Sequence, residues 1–69
     1  MNGKLHNEII KYSKSKEPQE SCGFVVLVGD EKVFIPCENV AEDRENHFEI
    51  SPEDYINASE KGEIVALVH

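Results

Sequence analysis

The sequence predicts a small domain of mixed α/β (α+β) class, with elements in the order helix-strand-strand-helix-strand. Three observations predict it. Leu5, Ile9 and Tyr12 recur at helical spacing among polar residues. Cys22–Val28 and residues 64–68 are short, β-branched apolar runs, which suits strands better than helices. Ser51-Pro52-Glu53-Asp54 has the chemistry of a helix start.

The first helix covers residues 4–15 and ends near Lys16 or Glu17, because Pro18 disfavours helix at the residue before it. The first strand is Cys22–Val28. Gly29-Asp30 marks a turn, and residues 32–36 read as a second strand with Val33 and Ile35 on one face. So short a separation implies an antiparallel hairpin. Residues 38–49 form an acidic loop containing Asn39, Asp43 and Asn46, with its charges as a solvated surface. Within it, residues 47–50 read as a short extended segment with Phe48 and Ile50 on one face.

The second helix starts at Ser51 as cap, with Pro52 at the first helical position and Glu53 and Asp54 at the positive end of the dipole. Tyr55, Ala58 and Ser59 are expected to face inward, and Gly62 to cap the C-terminus. Residues 64–68 then read as a buried strand running to His69. Chain termini usually lie at the surface, so a buried strand at the last residue carries the expectation of a truncated domain.

At 69 residues the chain holds one small domain, of a size that often needs a staple, a metal or a partner. Seven basic against 14 acidic residues give a net charge of -7, which repels phosphate backbones and argues against nucleic acid as a partner. No apolar run is long enough to cross a bilayer, and residues 1–16 have no signal-peptide core. The chain therefore reads as cytoplasmic. In that compartment Cys22 and Cys37 are expected as free thiols.

Few residues stand out for chemistry. Glu20 lies at the mouth of an apolar strand, where partial desolvation suits a general base. On the residues alone it reads first as a surface glutamate between a helix and a strand. His69 follows an apolar strand, a suitable place for a metal ligand, but it also reads as a plain chain-end histidine. His6 faces solvent on the first helix, and His47 sits in the acidic loop. Cys22 is best read as a small core residue; nucleophile or ligand roles for Cys22 and Cys37 lack a positioned histidine.

Four segments together carry a resemblance. They are Pro18-Gln19-Glu20-Ser21-Cys22-Gly23, Ile35-Pro36-Cys37-Glu38-Asn39-Val40-Ala41, His47-Phe48-Glu49-Ile50-Ser51-Pro52 and Gly62-Glu63-Ile64-Val65-Ala66-Leu67-Val68-His69. In this order they resemble the JAMM (MPN+) zinc metallopeptidases, whose fold is of the cytidine-deaminase-like type. The likeness runs from about His6 to His69. Within that group it is nearest to the N-terminal domain of tail assembly proteins of lambda-like phages.

The resemblance implies a zinc-dependent peptidase or isopeptidase. Glu20 matches the family's general base, and His69 matches the first histidine of the H-S-H-P motif, a zinc ligand. On this reading residues 1–69 are the N-terminal part of a single JAMM-type domain. The remaining ligands are absent, so no tight zinc binding and no activity are expected of the chain as given. Implied partners are a peptide or protein substrate and phage tail proteins, in the host cytoplasm or in the virion. The alternative is a structural module of the tail tip without catalysis. Uncovered strand edges also predict self-association.

Overall fold

A computed structural model of the chain describes residues 3–69. Its elements are α1 (Gly3–Lys16), β1 (Cys22–Val28), β2 (Glu31–Cys37), α2 (Pro52–Lys61) and β3 (Glu63–Val68). The order is the predicted one, and β1 and β2 form the predicted antiparallel hairpin. The sheet runs β2-β1-β3, with both pairings antiparallel.

β1 is the central strand, and its register divides the core in two. Cys22, Phe24 and Val26 lie opposite Cys37, Ile35 and Val33. They pack with Ala58 of α2, Phe48, Ile50 and Ile64 on one face. Val25 and Phe34 point to the other face, where Leu5, Ile9 and Tyr12 of α1 meet them. The Tyr12 and Phe34 rings contact edge-on with centroids 5.7 Å apart. A strand covered on both faces has no polar side to present, so the β1 sequence is continuously apolar instead of alternating.

Local chemistry fixes the connections. At the hairpin Gly29 has φ 63° and Asp30 does not have positive φ, the pattern of a type II′ turn. Ser51 caps α2 as predicted, its hydroxyl accepting from the Asp54 N–H at 3.2 Å. A Cβ on Gly23 would stand 2.6 Å from the Ile35 carbonyl oxygen and 2.7 Å from the Phe34 ring. The smallest residue is therefore needed where β1 and β2 close over Phe34.

Three expectations are corrected. β3 is not buried: it is an edge strand, with Val65 and Leu67 44% and 51% exposed. Its apolar run resembles that of β1, but among the described residues nothing pairs with its outer edge. Val25 pairs with Ala66 and Val26 with Ile64, which leaves Val65 as an extra residue in a β-bulge. On α2 only Ala58 is buried. Ser59 is exposed and donates to the Ile56 carbonyl, while Tyr55 is largely exposed though its ring meets Phe24 edge-on. Gly62 is extended at φ 173°, not left-handed. It is required because a Cβ there would overlap the Leu27 carbonyl of β1. Residues 47–50 lie outside any helix or strand, and Phe48 and Ile50 reach the same core cluster, as expected of one face.

Candidate functional site

The end of the sheet where β1 begins collects most of the chain's polar organisation. Its centre is Asn39, the one buried polar side chain among the described residues. The Asn39 amide donates to the carbonyls of Glu20 at 2.9 Å, His47 at 2.8 Å and, more weakly, Arg44 at 3.3 Å. Its carbonyl oxygen accepts from the N–H groups of Ala41 at 3.0 Å and Glu49 at 3.1 Å. A buried amide costs little when it is fully bonded, and this one has a partner for every group it buries. Asn39 thus ties the acidic loop to itself and to the residue that precedes β1.

Two further contacts hold the loop. The Glu20 N–H donates to the Arg44 carbonyl at 2.6 Å, and the Val40 N–H to the Glu49 carbonyl at 2.9 Å. At the loop tip the Asn46 amide donates to the Asp43 carboxylate at 3.0 Å, and the His47 N–H to the Asp43 carbonyl at 2.9 Å. The Asn46 hydrogen bond holds the Asp43 carboxyl below its ordinary range.

Glu20, the predicted base, is half-buried here and lines a cavity of about 330 Å³ with Tyr12, Lys16, Cys37, Glu38, Asn39 and Arg44 among its neighbours. The Tyr12 hydroxyl donates to the Cys37 carbonyl at 2.7 Å and so ties α1 to the end of β2. The Lys16 ammonium lies 5.5 Å from the centre of the Tyr12 ring. Burial, followed by the charges around it, raises the Tyr12 phenol, which stays protonated as a donor.

His69 lies at the same end of the sheet. Val68 pairs with Gly23, so His69 follows directly beyond the start of β1, two residues from Glu20 along that strand's approach. The structure brings the two predicted residues to one end but not into contact. The His69 ring stacks on Phe48, with centroids 4.5 Å apart and planes 16° from parallel. His6 and His47 are exposed, as expected. Among the described residues no three His, Cys, Asp or Glu side chains gather as a metal site. A catalytic zinc needs three protein ligands, so the donors these residues gather do not fit one.

The thiols belong to the core. Cys22 and Cys37 are buried, free and directly opposite each other across β1 and β2. The Cys22 thiol donates to the Cys37 carbonyl at 3.8 Å, and the Cys37 thiol to the Ile35 carbonyl at 3.7 Å. Burial, then the Asp54 charge, pushes the Cys37 thiol up to about 11. The same two causes, with Glu20, raise Cys22. A thiolate nucleophile needs the opposite shift. Sequence reasoning missed the parts played by Asn39, Tyr12, Lys16 and Arg44. The available signal was the chain's single arginine standing in an otherwise acidic loop.

No family model matches the chain. No solved structure matches it. Over all 69 residues it is 35% identical to the tail tip assembly protein K of Escherichia phage N15, and it spans 28% of that protein's length. No described helix is long and apolar enough to cross a membrane.

Proposed function

We propose that the chain works in phage tail assembly, as part of a tail tip assembly protein, and that its Glu20 end is half of a peptidase centre of JAMM type. The observation that carries the assembly role is the similarity to the phage N15 protein over the full chain. The peptidase reading is supported by the placement of Glu20 and His69 at one end of the sheet, Glu20 lining a polar cavity and His69 stacked on Phe48. Glu20 is well placed to take a proton there, being half-buried with its backbone held on both sides by Asn39 and Arg44. Holding a zinc at this end would need ligands beyond His69.

A second reading is a docking module with no catalysis. The open β3 edge favours it, since Val65, Leu67 and Ile56 present apolar surface beside unpaired backbone. Complementation separates the two. A phage lacking its tail tip assembly protein is supplied with the wild-type protein or with Glu20→Gln, and tail components are followed by mass spectrometry. The peptidase reading expects a cleaved tail component with the wild type and its loss, with the infectious particles, in Glu20→Gln. Full complementation by Glu20→Gln would leave docking as the function.

A further inference from the structure

The cavity beside Glu20 has a charge pattern that the peptidase reading does not use. The chain carries 14 carboxylates and seven basic side chains, yet two of those seven, Lys16 and Arg44, line this one cavity. Arg44 is the single arginine of the sequence. Neither cation forms an ion pair among the described residues, although Glu20 and Glu38 line the same space.

Both cations are also positioned from behind. The Arg44 carbonyl accepts from the Glu20 N–H and from the Asn39 amide, so its backbone is fixed to the segment that leads into β1. The turn that presents it is closed by Asp43 and Asn46. The Lys16 ammonium rests near the face of Tyr12, whose hydroxyl is committed to the Cys37 carbonyl. Arginine presents a planar fork of donors that matches a carboxylate in two parallel hydrogen bonds, while lysine adds a point charge.

We infer that this cavity binds a carboxylate of a peptide ligand, with Arg44 as the recognising group and Lys16 as the supporting charge. The inference rests on the reading of the ligand as a peptide, and it adds what that peptide must carry. The carboxylate comes either from an acidic side chain or from a free C-terminus. General attraction cannot supply the effect, since a chain of net charge -7 repels anions.

The test is a binding titration followed by NMR on the 69-residue chain, through the Arg44 Nε–H and Glu20 amide signals. Three probes are used: acetyl-Ala-Ala-Ala with a free carboxylate, its C-terminal amide, and acetyl-Ala-Glu-Ala amide. At least one carboxylate peptide is expected to bind about tenfold more tightly than the neutral amide, the size of one charge-assisted hydrogen bond. Which one does so identifies the source. Arg44→Ala is expected to erase the preference while keeping the dispersed spectrum of the folded chain, and Arg44→Lys to restore part of it. Equal binding of acid and amide by the wild type, or a preference that survives Arg44→Ala, overturns the proposal. Binding is read without turnover, so an inactive Glu20 would not affect this result.

Discussion

β1 and β3 are neighbours with nearly the same composition and opposite fates. Both are short runs of valine, leucine, isoleucine or phenylalanine, and both read as buried strands. β1 is sealed on both faces, with Val26 wholly buried. Among the described residues β3 pairs along one edge only and leaves Val65 and Leu67 about half exposed. The difference lies in position within the sheet. α1 covers the β2 side of one face and α2 covers the β1–β3 side of the other. A groove lined by Leu5, Val25, Val65 and Ala66 is left between α1 and β3. Apolar composition sets the tendency to form a strand, and neighbours decide how much of that surface is buried.

Substitutions in the two strands sharpen the contrast. Phe24→Ala removes a ring from the β1 core and is expected to cost about 4 kcal/mol in urea unfolding. Asn39→Ala is expected to cost about 2 kcal/mol, because it strands the buried Ala41 N–H and the part-buried Glu49 N–H along with the carbonyls it served. Leu67→Ala in β3 is expected to stay within about 1 kcal/mol, since half of that side chain is already in water. A cost for Leu67→Ala equal to that of Phe24→Ala would break the comparison and show β3 covered in solution.

The exposed edge has its own readout. Sedimentation velocity is expected to show association that grows with concentration, and Leu67→Lys to reduce it with a stability change of about 0.5 kcal/mol or less. A strictly monomeric wild type would contradict this. A separate expected effect is alkaline. The Cys37 thiol is raised in the folded chain from its ordinary 9.0 to about 11, so the folded state holds its proton longer than the unfolded state. Its contribution is full below about pH 9 and is lost as pH rises through about 11. Cys37→Ala should flatten that part of the stability profile.

Much of the backbone was legible because its signals are local. The α1 stripe, the Gly29-Asp30 turn and the Ser51-Pro52 cap each depend on residues a few positions apart. What escaped depends on long-range geometry. Gly62 looked like a helix cap, and its real constraint is the Leu27 carbonyl of another strand. Asn39 looked like one more polar loop residue, and its five hydrogen bonds reach residues 20 to 49. The facing thiols of Cys22 and Cys37 follow from register, which the turn sets only once the hairpin is closed. Of the candidate site, Glu20 and His69 were visible in the sequence. The cations beside Glu20 were not, because α1 and the loop meet only in the fold.

The central claim is that Glu20 is held at this end of the sheet for chemistry and not for stability. One measurement tests it most directly: urea unfolding and peptide hydrolysis of the protein and its Glu20→Gln variant, side by side. The account predicts unchanged unfolding, within about 0.5 kcal/mol, and hydrolysis lost by at least about a hundredfold, the usual span of a general base. Hydrolysis retained in a folded Glu20→Gln protein would contradict it.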